Sequence, residues 1–461
     1  MLQRLIRLGL SGVVCLLSLS APTAQKEQVR PVGVAKVDIT PDYPVRLSGY
    51  AARKIESEGV AQRLWAKALA IGSDKDHPAI LITVDNCGVP ANVREAVVQR
   101  LQRRKHVDPD RVAICSTHTH SAPWLKGYLP NLFSGPIPPE EQARVERYTR
   151  EVIDALETVA LKALADRRPA KLSRGLGHAE FAANRRTKGG PADHDLPALF
   201  VTDTSGNLRA VFASYACHCT TVTGEFNQIC GDWAGYAQEY VERDHPGAVM
   251  LMALGCAGDA NPNPRPGFSL ARQHGQEICT AVGRVLTNAL CPVDGKLTCR
   301  TRQIELPLDP LPLRTEWEAR AKETNHIGSH ARMNLARLDR GETLPTNVPY
   351  LVQSWMFGDA FAMVFLPGEV VVDYSLRLKR EFDASRFWVN AYANDVPCYI
   401  ASERILEEGG YEGGDAMIYY DKPARLAPGV ENLILGTVHQ LVPKAFAVIR
   451  NPKPEAAKPS K

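Results

Sequence analysis

The sequence predicts an α/β fold: a mixed, largely parallel sheet flanked by helices. Three observations lead there. Short apolar runs alternate with helix-period stretches along most of the chain. The 461 residues, 44% of them hydrophobic, are ample for one large core or two closely packed ones. Polar residues able to do chemistry gather just past the ends of the apolar runs, where open α/β sheets place their ligands.

Residues 1–24 have the form of a secretory signal. Arg4 and Arg7 give the positive start, Leu8 to Leu19 the apolar core, and cleavage falls after Ser20 or Ala24. The apolar part is too short, and its exit too polar, for a membrane span, and no later stretch is long enough. The expectation is a soluble, secreted or periplasmic protein without a transmembrane segment. Ala79 to Val84 is the first strand. Asn92 caps a helix with the apolar stripe Val93, Ala96, Val97 and Leu101. Arg111 to Ser116 is the next strand, and Pro139 to Asp166 a long helix with Val145, Tyr148, Val152, Leu156, Val159 and Ala163 on one face. Strands follow at Leu199 to Thr202 and Leu208 to Tyr215. Asp232 to Arg243 is a helix, Val249 to Leu254 a strand and Ala271 to Leu290 a helix. After a more polar region come a strand at Phe361 to Leu366, a helix at Val371 to Phe382 and a strand at Phe387 to Ala391. There is no internal repeat. The tail, 451–461, is rich in Pro, Lys and Ala and is expected to be disordered.

The formal charge is +4 and falls by two when Arg4 and Arg7 leave with the signal, so no nucleic-acid partner is expected. Eleven cysteines become ten without Cys15. An even count in an exported chain permits disulfides, which the sequence does not assign. No CxxC pair is present. Cys217-His218-Cys219 offers sulfur to a metal; the preferred reading is two small packing residues beside one functional histidine.

The most informative stretch is Cys115-Ser116-Thr117-His118-Thr119-His120-Ser121. It leaves a strand whose end, Val112-Ala113-Ile114, is apolar. Two histidines one residue apart place two imidazoles on one side of a loop, which suits a shared metal or a metal-plus-substrate arrangement. Taken alone, the segment is also a polar turn rich in Thr and Ser. Four further strand ends carry candidates: His218, Asp259 within Gly258-Asp259-Ala260-Asn261-Pro262, Glu369 within Pro367-Gly368-Glu369, and Asn394 to Tyr399. Asp259 or Glu369 could cap a helix and Tyr399 could be half-buried packing. Their joint placement favours a metal hydrolase.

These residues resemble the neutral (alkaline, non-lysosomal) ceramidase family in its catalytic domain, placed here at 28–450. The resemblance runs from Val32-Gly33-Val34-Ala35-Lys36-Val37-Asp38-Ile39-Thr40-Pro41 to about Tyr420. It includes Ser48-Gly49-Tyr50-Ala51, Arg63-Leu64-Trp65-Ala66-Lys67-Ala68, the Thr-His-Thr-His-Ser motif and Gly231-Asp232-Trp233. The resemblance implies one Zn2+ per chain, held by His118, His218, Glu369 and Tyr399. It implies that His120, Arg185 of Asn184-Arg185, and Tyr411 of Tyr411-Glu412-Gly413 face the substrate and the reacting carbonyl. Asp259 is expected to orient neighbours. The implied function is hydrolysis of an N-acyl amide, with a ceramide-like lipid as leading substrate and Trp124, Leu125, Tyr128 and Leu129 as part of an apolar groove. The alternatives are a hydrolase of a non-lipid amide or ester, and a non-catalytic exported metal-containing binding protein. Three departures stand out. Asn261 replaces the serine of the family's Gly-Asp-x-Ser-Pro-Asn segment. Ser121-Ala122-Pro123-Trp124 replaces Ser-Gly-Pro-Gly. The immunoglobulin-like C-terminal domain of the characterised enzymes is not expected within these residues.

Overall fold

The computed structural model describes residues 28–448. The signal read at 1–24 and the tail at 451–461 lie outside the described residues. The chain runs β1 (Val29–Asp38), β2 (Trp65–Ile71), β3 (Ala79–Val84), α1 (Ala91–Lys105), β4 (Val112–Ser116), α2 (Pro139–Ala165), β5 (Arg168–His178), β6 (Ala182–Asn184), β7 (Asp195–Asp203), β8 (Leu208–Tyr215), α3 (Asp232–Asp244) and β9 (Val249–Leu254). It continues through β10 (Ala260–Pro262), α4 (Phe268–Thr287), β11 (Cys291–Pro292), β12 (Leu297–Pro307), α5 (Arg314–Arg320), α6 (His326–Asp339), β13 (Asn347–Phe357), β14 (Phe361–Phe365), β15 (Glu369–Val370) and α7 (Val372–Glu381). It closes with β16 (Phe387–Asn390), β17 (Tyr399–Ile400), α8 (Glu403–Glu408), α9 (Gly410–Gly413) and α10 (Val430–Leu441).

The large sheet has the order β4-β3-β2-β1-β5-β7-β8-β9, with β11 attached to β5, and a second sheet has the order β12-β13-β14-β16. The fold is mixed α/β with helices flanking a large mixed sheet, as the sequence predicts. The weighting towards parallel strands is corrected. Within the large sheet only β3–β4 and β8–β9 run parallel; its other pairings are antiparallel. Parallel neighbours need a crossover, and helices cross only through α1, α3 and, in the second sheet, α7 between the parallel strands β14 and β16. The remaining neighbours in the large sheet have no such helical crossover.

The central strands are buried on both faces, which is why Ala79–Val84 reads as an unbroken apolar run. On one face Ile80, Ile82 and Ile114 pack against Val97 and Leu101 of α1 and Leu156 of α2. On the other, Leu81 and Ala113 meet Trp355, Phe361 and Met363 of the second sheet. Burial of each such aliphatic side chain contributes about 1.5–3 kcal/mol. Loops complete the closure: Cys115 bridges to Ala393 and Thr119 to Cys219, so the ends of β4, β8 and β16 come together.

Some local expectations change. The N-cap of α1 is Pro90, not Asn92, and makes no side-chain cap bond; the carboxylate of Asp395, distant in sequence, accepts from Ala91 N at 3.0 Å. The region read as merely polar before Phe361 contains the long β12–β13 ladder. The ten described cysteines are all unpaired. Cys217 and Cys219 are packed in the core, in accord with the packing reading. Among the described residues no helix is long and apolar enough to cross a membrane.

Candidate metal centre

The three parallel β-α-β units deliver the site. His118 follows β4, His218 follows β8, and Glu369 and Tyr399 follow β14 and β16. The two-residue parallel ladder β15–β17 makes Glu369 and Tyr399 direct partners. Gly368 permits this turn: its φ is +86°, and a Cβ there would lie 2.7 Å from Cys398 O. His118 has φ +54°, a left-handed conformation that non-glycine residues rarely adopt, and strain of this kind persists where surrounding structure enforces it. The His218 backbone N–H donates to Ala260 O at 3.0 Å, and the Arg185 N–H to Asp259 O at 2.8 Å.

His118, His218 and Glu369 are buried and their ligand atoms lie within 4.8 Å of one another. Glu369 Oε2 is 3.2 Å from His118 Nε2 and 3.0 Å from His218 Nε2. Each imidazole spends its other nitrogen on backbone: His118 Nδ1 on Cys87 O, His218 Nδ1 on Ala257 O at 2.7 Å. Donation from Nδ1 fixes the tautomer whose Nε2 lone pair faces the carboxylate. His120 follows suit, with Nδ1 on Gly49 O at 3.1 Å and Nε2 3.0 Å from His118 Nε2. Lone pairs directed at one another need a shared cation or proton. Donors bound to one zinc at about 2.0–2.2 Å would stand about 3.3–3.6 Å apart in a tetrahedron, so the cluster fits a metal of that size after a small expansion.

The charges agree. Burial would push the Glu369 carboxyl up, but His118 and His218 hold it well below the usual carboxylate range. Burial works against charge on His118, yet Glu369 raises it to about 10. Burial and Arg185 push His218 down to about 4. Burial, His118 and His218 push His120 well below its ordinary value. Without a metal, the cluster is an imidazolium–carboxylate pair beside two neutral imidazoles.

Tyr399 OH lies 3.4 Å from His218 Nε2 and accepts from Arg185 Nη2 at 2.8 Å. Burial keeps it a phenol well above its ordinary pKa, although Arg185 pulls the other way. Arg185 is clamped by Glu412, which accepts from its Nε at 2.7 Å. Tyr411, half-exposed at the cleft mouth, stacks edge-on to Tyr399 with ring centroids 5.4 Å apart. Asp259 stays outside the cluster. Its two oxygens accept from Val372 N at 2.8 Å and Asn184 Nδ2 at 3.0 Å, tying three segments of the site together.

Three contributors were missed from sequence: Tyr420, whose OH donates to Glu369 Oε1; Glu412; and Cys87, whose sulfur lies beside His118 and 3.6 Å from the hydroxyl of Tyr128, a residue expected only in the groove. Tyr420 adjoins the end of the recognisable motifs, but no spacing marks it as a partner of Glu369. Two cavities share Gly49, Tyr50, His120, Tyr399 and Tyr411. The larger, about 600 Å³, is polar, with Arg185, Arg186, Arg265 and Asn261 on its wall. The smaller, about 180 Å³, is lined by Tyr128, Leu129, Leu132, Tyr419 and Tyr420. Of the expected groove residues, Tyr128 and Leu129 line it; Leu125 is core, and Trp124 packs on Phe133.

Fold and site together define a mixed α/β protein with a buried two-histidine, one-carboxylate donor cluster at strand ends. Residues 31–265 match the family described as neutral/alkaline non-lysosomal ceramidase, N-terminal, and the chain belongs to that family. The match takes in His118, His120, Arg185 and His218; Glu369, Tyr399 and Tyr411 lie beyond it. The neutral ceramidase of Drosophila melanogaster is 27% identical over 263 residues, 50% of this chain and 36% of the relative. Neutral ceramidase A of Dictyostelium discoideum is 23% identical over 261 residues, 51% of this chain and 36% of the relative. The matched stretch thus spans about a third of the length of these curated relatives. A ceramidase complexed with C2 and the neutral ceramidase from Pseudomonas aeruginosa share the fold, each with TM-score 0.70 and 20% identity. The alignments cover 89% and 90% of this chain and 74% of each structure.

Proposed function

We propose that this chain is a zinc-dependent hydrolase of N-acyl amide bonds, with a ceramide-like lipid as leading substrate. One Zn2+ would be held by His118, His218, Glu369 and Tyr399. The observation that carries this reading is the set of Nε2 lone pairs and one carboxylate facing each other at the floor of an open cleft. Zinc in such a donor set supplies a Lewis acid and, by lowering the pKa of water to about 7, a nucleophile at neutral pH. The chain's own residues do the rest. His120, kept neutral with Nε2 free of a proton, accepts one there and can return it to the leaving amine. Arg185, held rigid by Glu412, presents its guanidinium beside Tyr399 to the oxyanion that forms from the amide carbonyl. Tyr411 closes over the mouth. Asn261 lines the polar branch and accepts from Thr220 Oγ1 at 3.2 Å; a carboxamide is a poor nucleophile, so the attack belongs to water.

A second reading has its own observation. The aromatic branch, at about 180 Å³, is smaller than the roughly 300–1,000 Å³ of pockets that bury drug-sized ligands. It has little room for two long tails, whereas the larger branch is polar. This favours a non-lipid amide or an ester whose polar part lies along Arg186 and Arg265. The test is product release over a panel of N-acyl compounds, long- and short-chain ceramides and water-soluble amides included, with and without a chelator. Chelator-sensitive release from amides supports the proposal, and the preferred chain decides between readings. Bound zinc with no turnover of any N-acyl or O-acyl compound would favour a non-catalytic binding protein. An inactive native protein that gains hydrolysis on Asn261→Ser would overturn attack by water. Export to the periplasm or the medium belongs to the same proposal, and sequencing the N-terminus of the native protein checks it.

A further inference from the structure

We propose that His178, Glu180 and His194 form a second divalent-cation site, suited to zinc, nickel or copper, that staples the base of the segment carrying Arg185. The site stands on its own geometry and does not depend on the hydrolase reading.

His178 is the last residue of β5, and His194 immediately precedes β7. The two strands pair antiparallel, with His178 opposite Asp195, and Ala179 N donates to His194 O at 3.1 Å. This register sets the two histidines side by side, with ring centroids 5.6 Å apart. Glu180 lies between them. Its Oε1 is 2.7 Å from His178 Nε2 and its Oε2 is 3.0 Å from His194 Nδ1. One ligand atom from each residue falls within 4.8 Å of the others. The Glu180 backbone is itself anchored, its N–H donating to Glu277 Oε1 at 2.6 Å.

The second observation is the tautomer. His194 Nε2 donates to Ala182 O at 3.0 Å. In neutral His194 the Nδ1 therefore carries a bare lone pair, aimed at a carboxylate oxygen that has only lone pairs to offer. A backbone carbonyl on the far ring nitrogen is the arrangement that orients metal-ligating histidines. Two imidazole nitrogens and a carboxylate are the donors of zinc and of first-row metals later in the affinity series. Solvent around His178 and Glu180 leaves room for waters to complete the coordination.

The consequence is local. Residues 181–193 loop out between the ligands and contain β6, Asn184, Arg185 and Arg186. A cation bound at both ends of this loop restricts the chain that delivers Arg185, and binding to the folded form alone raises stability. The effect expected is on the stability of this loop; none of the three residues lines the cleft.

The test uses the full chain, free of any histidine tag, titrated with Zn2+ and separately with Ni2+ by calorimetry. Two binding events are expected, one tight and one weaker, with a rise in Tm over the weaker one. The His178→Ala/His194→Ala variant is expected to lose the weaker event and its Tm rise, and Glu180→Gln to weaken it at least about tenfold. Glu369→Gln should leave the weaker event in place, which separates this site from the buried cluster. Glu180→Gln serves alone if the double variant does not fold. Unchanged stoichiometry and an unchanged Tm response in the His178, His194 and Glu180 variants would overturn the proposal.

Discussion

Among the described residues there are two clusters of two histidines and one glutamate, and they differ in everything except their donors. In the buried cluster every imidazole has its far nitrogen on a backbone carbonyl, and Glu369 takes a phenol hydroxyl on its second oxygen. In the exposed cluster only His194 is so oriented, and Glu180 is largely in water. Solvent can satisfy the lone pairs of His178 and Glu180 when no cation is present. It has no access to those of His118 and His218. Burial therefore turns a similar donor set from an optional cation site into one whose electrostatics demand a positive charge.

The sharpest way to break this contrast is to remove one carboxylate from each cluster. Glu369→Gln is expected to lose bound zinc and to lower hydrolysis by about 1,000-fold or more, the scale of a lost transition-state-stabilising group. Glu180→Gln is expected to hydrolyse near the wild-type rate. Metal content by mass spectrometry and release rates on the best amide of the panel measure both. Equal activity of the two variants would erase the functional distinction between the clusters.

Next in size is Arg185→Ala. The guanidinium touches Tyr399 and Glu412 but is not a metal ligand, so zinc content should stay near one per chain while kcat/KM falls by about 100-fold. Loss of metal together with activity would make Arg185 a support of the cluster instead of a substrate contact. Smaller again is Tyr420→Phe, which removes the hydroxyl from Glu369 Oε1 and keeps the ring. Zinc affinity should weaken by about 10–100-fold, the usual effect of losing an outer hydrogen-bond partner. Competition with a metal indicator reads the change, and an unchanged affinity would mean that Glu369 needs no such support.

How far the sequence disclosed this site follows from what sets each residue's position. His118, His218, Glu369 and Tyr399 come straight off strand ends in crossover units, so apolar runs followed by polar residues pointed to them. Tyr420 reaches Glu369 from the segment between α9 and α10, and Glu412 reaches Arg185 from α9 itself; no period links either to its partner. The parallel character of the sheet was overestimated for a related reason. The three crossover units are parallel and were the legible elements; β1 and β12 alternate exposed and buried positions irregularly and were not recognised as strands, and β2, a short Ala-rich run buried almost throughout, was missed as well. His178, Glu180 and His194 gave no sequence signal, because the β5–β7 register joins residues 16 apart across a loop.

The last prediction separates burial from the nearby cation in the argument about Glu369. Asp395 is a partly buried carboxylate without an imidazole beside it. Its oxygen accepts from Ala91 N at 3.0 Å and Val396 N at 2.8 Å, yet burial outweighs these bonds and raises its pKa from 3.8 to about 6. Glu369, buried more deeply, is shifted the opposite way by His118 and His218. The sign for stability follows from proton binding. Between pH 4 and 6 the folded state holds a proton on Asp395 that the unfolded chain has released, so low pH favours folding through this group. Its contribution declines as pH rises across that window and stays at its lower level above it. A shift of this size corresponds to at most about 3 kcal/mol. Asp395→Asn keeps the acceptor oxygen and removes the ionisation. Urea unfolding at a series of pH values should then show a flatter profile between pH 4 and 6 and higher stability at pH 7, with zinc content and hydrolysis unchanged. A profile as steep as that of the wild type would mean that Asp395 stays ionised in the fold, and that burial alone does not push a carboxylate up in this core.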